Sequence, residues 1–437
     1  MNLLLLAGGS SSRFYPLKEK NTYEFLGVSV VEYQLKRYIN FLQPNKVVII
    51  VNAKIEEEIK ELVQNSNISA DVVVQEGDGM AGAAQTGLSY LDPEDELIVA
   101  NMNDFFDDSL FAKFLELKSS GSKRNLVTGL KTKTYFPGGY LVLDDESNVI
   151  GVEEKPGEGN EHSSEYVRFV FDYFMKAGDF SRALDEASSN KDDVYEVAQS
   201  ILMAEKAFEL LEYQQEWRSI KYPWHVLEVM ELFLSKLEGE TIADNVQIAE
   251  NVTIKGDVII ESGVKIFEGA VIRGPAYIGK NTIIGNGALV RNSMIGNNSV
   301  VGFATEVSRS YVGNDTWFHK NYIGDSIIEH NVSFGSNAVT ANLRLDEDEI
   351  YAMVKGEKIP TGTTKLGTIV GSNTRIGVGA MIMPGVKIGS DSVVGPMVVV
   401  QKDISAGVFL KTVQETVERE NKISITDKNR DEYSSKL

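Results

Sequence analysis

The chain has 437 residues, a formal net charge of −20 and an apolar fraction of 43%, the profile of a globular protein of two or three domains. It has no cysteine, which excludes disulfides, thiolate nucleophiles and Cys-based zinc sites. The acidic balance argues against nucleic acid as a partner, because a phosphate backbone needs a basic face.

The chain opens with NLLLL at residues 2–6, apolar but without a basic flank and too short for a membrane span. It reads as a buried first strand. No later run is long enough to cross a bilayer, so no membrane association and a cytoplasmic location are expected. Further short apolar runs, KVVIIV, ADVVVQ and ELIVAN, alternate with segments of helical spacing at 30–42, 54–66 and 81–91. Runs buried on both faces alternating with helices predict a parallel, doubly wound α/β sheet. Ligands of such sheets sit beyond the carboxyl ends of the strands. The segment 223–238, introduced by Pro223, reads as a connecting helix, which places the first domain at 1–238.

Near residue 240 the pattern changes. Ile242, Ile248, Ile254, Ile260, Ile266, Ile272, Ile278, Ile284 and Val290 fall six residues apart, and Val370, Ile376, Ile382, Ile388, Val394 and Val400 repeat the stride. This hexapeptide period predicts a parallel β-helix, each coil burying its aliphatic interior against the next, over residues 239–405. Between the runs, at 312–365, the register breaks around His319, Tyr322 and Asn342 and an excursion bearing Lys355, Lys358 and Lys365. Loops that leave a solenoid often carry function. Residues 406–437 read as a charged tail.

The segment LAGGSSSRFYPLKEK, residues 6–20, follows the first strand. A small-residue loop there lets backbone N–H groups approach a triphosphate, with Arg13 and Lys20 as countercharges. The segment resembles the signature of sugar nucleotidylyltransferases. By that resemblance Leu6, Ala7, Gly8 and Gly9 hold base and ribose, and Arg13 and Lys20 neutralise the transferring phosphates. Gln75 and Gly79 match the base-reading pair. Asp104 matches the Mg²⁺ ligand, Gly139 a sugar-contacting glycine, and Glu154 and Lys155 the residues for sugar hydroxyls and sugar phosphate. The chain departs from the pattern in three places: Ser11 replaces the third glycine, bulky Arg168 and Phe169 stand in the strand where the family has Asn or Gly, and Ser219 replaces a second metal-binding Asp. The implied reaction is in-line attack of a sugar 1-phosphate on the α-phosphorus of a nucleoside triphosphate, driven by positioning and charge neutralisation.

The stretch FHKNYIGD … TANLR, within 318–344, resembles the acetyltransferase half of the bifunctional uridylyltransferase/glucosamine-1-phosphate acetyltransferases, most closely their archaeal relatives. The resemblance implies a left-handed β-helix, acetyl-CoA as cosubstrate, His319 as general base, and Tyr322 and Asn342 as orienting groups. It also implies a homotrimer. Two other readings stay open: nucleotidyl transfer alone with the β-helix serving trimerisation, or a non-catalytic nucleotide-binding scaffold.

Overall fold

A computed structural model describes residues 1–121, 123–132, 138–154, 157, 164–205 and 208–422. Lys155, His162 and the end of the charged tail lie outside the described residues.

The first strand, Asn2–Ala7, is buried along its whole length and pairs in parallel with Val47–Val51 on one side and Leu97–Asn101 on the other. Asp71–Val74 extends the parallel set. Helices Val30–Leu42, Glu56–Asn65 and Gly79–Leu88 carry the chain between these strands. The first starts from Ser29, whose hydroxyl accepts from the Glu32 N–H at 3.2 Å, a capping-box spacing that fixes the helix start. The sheet is mixed rather than wholly parallel. Phe171–Phe174 pairs antiparallel with Leu97–Asn101, and Leu126–Lys131, Tyr166–Arg168, Gly139–Leu143 and Val149–Glu154 continue beyond it. The alternation of runs reveals only the parallel half; the antiparallel strands are of mixed polarity.

From Glu240 the chain winds through three parallel sheets of eight, nine and eight strands, each strand two or three residues long, as the sides of a triangular prism. Interior positions from Ile260 onward are buried, whereas Ile248 in the first coil is 47% exposed because nothing caps that end. Asn251, Asn281, Asn298, Asn331 and Asn373 take left-handed corners with φ of 54–60°, which asparagine tolerates better than most residues. This accounts for the crowding of Asn between the aliphatic positions.

The expected break at 312–365 is corrected by the structure. The interior runs on unbroken through Ile295, Val301, Val307, Val312, Phe318, Ile323, Ile328, Phe334 and Thr340, all buried. The strides from Val307 to Val312, Phe318 to Ile323 and Ile323 to Ile328 are each one residue short. A corner absorbs the lost residue, so the sequence period slips while the sheets stay in register. Among the described residues of the prism one segment leaves it, within the expected excursion: the hairpin Tyr351–Val354 and Glu357–Pro360, before the coil resumes at Ile369–Val370.

One face of the prism is not exposed. Its outward side chains Tyr277, Met294, Tyr311, Ile327 and Ile369 share an apolar core with Phe14, Leu17, Tyr23 and Phe25 from the loop that follows the first strand. The Tyr23 and Tyr311 rings stand 5.2 Å apart, and the Tyr311 hydroxyl donates to the Glu24 carbonyl at 3.0 Å. Among the described residues no helix is long and apolar enough to cross a membrane.

Because each coil buries its interior only against its neighbours, a deletion there has little room to relax. Ile284→Ala is expected to cost about 2–5 kcal/mol in urea unfolding. A cost below about 1 kcal/mol would mean that the coil collapses around the gap.

Candidate functional site

Leu6 and Ala7 end the first strand inside the sheet, and the chain turns at Gly8 and Gly9 over its carboxyl edge. Gly8 is required by close approach: a Cβ there would collide with the amide oxygen of Gln75. Gln75 in turn donates to the Gly77 and Gly79 carbonyls at 3.0 and 2.8 Å, so Gly8, Gln75 and Gly79 form one surface. Gly79, at φ +67°, opens a helix, and a Cβ on it would meet Asp192 Oδ1 at 2.8 Å.

The loop then passes Ser11, which keeps the left-handed backbone that glycine favours, at φ 48°. Its hydroxyl donates to Glu19 at 2.9 Å, a contact glycine lacks and one that offsets the strain. Glu19 also accepts from the backbone and side-chain amides of Asn21. Burial raises the pKa of Glu19, against the lowering effect of these hydrogen bonds. Lys20 begins a single 3₁₀ turn. Its ammonium would stand 3.9 Å from a Cβ on Gly9. Burial lowers its pKa, and the charges of Glu19 and Asp104 oppose that shift while Arg13 and Lys221 add to it. Lys20 is half-buried, with Arg13, itself exposed, close enough to be felt.

Asp104 follows the strand Leu97–Asn101 and is buried at 2% exposure. Burial raises its pKa, opposed by hydrogen bonds from Ser219 and Asn101 and by the charges of Lys20 and Lys221. Ser219 pairs directly opposite Asp104 in a two-stranded ladder, and Asn103 donates to the Ser219 hydroxyl at 3.2 Å. Among the described residues no cluster of three or more acidic or histidine side chains forms a metal cage. One desolvated carboxylate with hydroxyl and amide oxygens beside it does fit Mg²⁺, which binds through one or two carboxylates and takes its other ligands from substrate phosphates and water.

Gly139 and Glu154 also meet. A Cβ on Gly139 would lie 2.9 Å from Glu154 Oε2 and 3.3 Å from Arg168 Cδ. Arg168 is buried and paired with Asp172 at 2.9 Å and Glu196 at 2.7 Å, so the bulky residue at this position is a neutralised structural cation. A pocket lined by Val152, Glu154, Lys191, Asp193 and Glu196 opens beside it.

On the β-helix, His319 lies exposed at the corner between Trp317–Phe318 and Tyr322–Gly324. Asn342 donates to the Tyr322 hydroxyl at 3.2 Å and to Asp325. Arg309 grips Asp325 with two hydrogen bonds of 2.6 and 2.7 Å. Sequence reasoning named Tyr322 and Asn342 but missed Arg309 and Asp325, although Asp325 stands in the quoted YIGD. It also missed Glu19 and Lys221, which flank quoted motif residues.

The glycine contacts separate two kinds of close approach. At Gly8 the obstacle is the end of a flexible side chain, whereas a Cβ on Gly82 would meet the Gly77 carbonyl carbon at 2.7 Å and the Glu76 oxygen at 2.9 Å. Gly82→Ala is expected to destabilise by about 1–3 kcal/mol. Gly8→Ala should cost little stability while displacing Gln75, seen as weaker nucleoside triphosphate binding by calorimetry. Equal thermal midpoints for the two variants would contradict this distinction.

The chain matches the nucleotidyl transferase family over residues 2–225 and the bacterial transferase hexapeptide (six repeats) family over residues 257–292 and 367–402. The unmatched interval between the hexapeptide stretches contains the short strides and the hairpin. The bifunctional sugar-1-phosphate nucleotidylyltransferase/acetyltransferase of Sulfurisphaera tokodaii is 30% identical over 423 residues, covering 94% of this chain and 100% of that protein. The bifunctional protein GlmU of Methanocaldococcus jannaschii is 30% identical over 440 residues, covering 97% of this chain and 100% of that protein. A domain pair matched in both halves and in order leads to one conclusion: the chain belongs to the nucleotidyl transferase family, among its bifunctional sugar-1-phosphate nucleotidylyltransferase/acetyltransferase members.

Proposed function

We propose that the chain carries out two reactions in the cytoplasm. The first half, 1–238, transfers a nucleotidyl group from a nucleoside triphosphate to a sugar 1-phosphate and releases pyrophosphate. The β-helix, 239–405, transfers the acetyl group of acetyl-CoA to an amino-sugar 1-phosphate. The observation that carries the first assignment is the half-buried Lys20 at the edge of the Gly8–Gly9 turn, within reach of the Glu19 and Asp104 charges. A structural lysine has no need of such a setting.

In this reading Leu6, Ala7, Gly8 and Gly9 cradle base and ribose, with Gln75 and Gly79 against the base. Gly139, Glu154 and Lys155 hold the sugar phosphate. A phosphate oxygen of that sugar forms a bond to the α-phosphorus, and the bond from phosphorus to the bridging oxygen breaks as pyrophosphate leaves. The nucleophile is already ionised, so no side chain need take a proton. Lys20 and Arg13 stabilise the charge on the phosphates, Lys20 strongly because little water screens it. Asp104, with Ser219 at its side, would hold Mg²⁺, whose chemistry when bound is to neutralise phosphate charge.

For acetyl transfer, His319 would take the proton of the attacking amine. The amine nitrogen bonds to the thioester carbon and coenzyme A leaves as the thiol. Tyr322 and Asn342, stiffened by Asp325 and Arg309, would orient the acceptor. We further propose a homotrimer. In its support, Met381 and Val399 on one free prism face, and Val393 and Phe409 on the other, are 39–64% exposed, apolar side chains that neighbouring copies would cover.

Lys20→Ala and Asp104→Asn should each abolish most Mg²⁺-dependent pyrophosphate release while the fold, read by circular dichroism, persists. His319→Ala should lower thiol release from acetyl-CoA by roughly 10²–10⁴-fold, with glucosamine 1-phosphate or galactosamine 1-phosphate as acceptor. Unaltered turnover in these variants would remove the corresponding role. Light scattering at micromolar concentration should give three times the chain mass; a monomer mass would refute the trimer.

A further inference from the structure

Glu329 belongs to the β-helix, directly after Ile327–Ile328 on the covered face, yet its carboxylate points into the other half of the molecule. It is 2% exposed. Each of its oxygens is engaged. Oε1 accepts from the Lys18 backbone N–H at 2.8 Å and from the Tyr23 hydroxyl at 3.3 Å. Oε2 accepts from the Ser372 backbone N–H at 3.0 Å and from its hydroxyl at 2.8 Å. Two donors thus come from the neighbouring coil and two from the loop of the nucleotidyl half.

The two loop donors bracket Lys20. One lies just before it in the chain and the other just after. The same stretch is fixed further on, where the Tyr311 hydroxyl donates to the Glu24 carbonyl at 3.0 Å. On its inner side it is tied by Glu19 to Ser11 and Asn21. The path of the segment that presents Lys20 is therefore set from both sides, by Glu19 within the α/β half and by Glu329 from the prism. A contact serving only adhesion between the halves would not need a buried carboxylate. The apolar side chains around it already provide adhesion, and a lone buried charge costs more than it returns unless fully hydrogen-bonded.

We propose that Glu329 is a positioning residue for nucleotidyl transfer: a side chain of the acetyltransferase half that holds the Lys18–Tyr23 stretch, and through it the Lys20 ammonium, in register with the phosphates. The proposal rests on the nucleotidyl reading of Lys20. Glu329→Gln keeps the size of the side chain but has one acceptor oxygen where two are needed. Either the Lys18 or the Ser372 N–H then faces an amide N–H, and the loop loses its fixed path.

The test compares two rates in the same full-length protein. Glu329→Gln is expected to lower kcat for pyrophosphate release roughly 10–100-fold, the cost of a displacement on the order of 1 Å. The KM for the sugar 1-phosphate should change little, and thiol release from acetyl-CoA should stay within about twofold of the unmodified protein. Tyr23→Phe removes one of the two loop donors and keeps the ring, so a smaller loss in the same direction is expected. In the Glu329→Gln background Tyr23→Phe should add nothing, because the two act as one unit. Should Glu329→Gln fail to fold, Tyr23→Phe alone decides by the same ratio of rates. The proposal is overturned if kcat for pyrophosphate release is unchanged, or if both reactions fall in parallel. The nucleotidyl reading itself fails separately, if Lys20→Ala leaves pyrophosphate release intact.

Discussion

Five outward side chains on one side of the prism, Tyr277, Met294, Tyr311, Ile327 and Ile369, are packed into the core of the α/β half. Large apolar side chains each gain roughly 1.5–3 kcal/mol on leaving water, so this contact is a strong one. It decides where the loop after the first strand goes. Phe14, Leu17, Tyr23 and Phe25 are drawn down onto the prism, and the polar residues beside and between them, Arg13, Glu19 and Lys20, are left along the carboxyl edge of the sheet. Without the covered face the loop would lose one of the two layers it packs between, keeping only contacts such as Phe25 with Phe105 and Phe233 in its own half.

The electrostatics of the nucleotidyl site follow from that placement. Lys20 loses water because the loop is pressed between two layers, and burial lowers its pKa. Glu19 and Asp104 lose water with it, and burial raises theirs. Each charged form is costly alone and tolerable beside its opposite. A substrate bringing several negative charges enters a site where a cation is already desolvated and aimed, so little reorganisation is left for the reaction step.

The hexapeptide stride was legible because an interior that touches only its own coils has no other way to be apolar. The parallel half of the sheet was legible for a similar reason, since strands buried on both faces leave unbroken aliphatic runs. The antiparallel strands, whose runs are interrupted by glycine and charged residues, left no such trace. The coils at 312–340 were misread as part of a break because periodicity counts residues, whereas a β-helix counts sides, and a corner can lose a residue without losing a side. Within the candidate sites, contacts local to one motif or one coil could be guessed, such as Tyr322 with Asn342. Glu329 could not. Its partners Lys18 and Tyr23 lie in the opposite half of the chain, and no local pattern marks a carboxylate for them. Ser219 was legible as a departure, but its hydrogen bond to Asp104 became evident only when the two strands were seen paired.

A three-sided solenoid ordinarily offers three sides to its surroundings, and here the chain itself occupies one of them. Two remain, each with bare apolar residues: Trp317, Val393 and Phe409 on one, Met381 and Val399 on the other. A building block with two sticky sides can join a neighbour on its left and another on its right, and nothing more. If the angle between those sides closes the circle, every sticky side is used and growth stops; branching is impossible from the outset. By shielding one side with its own first domain, the chain leaves two sides free, the number that a closed ring of copies would use.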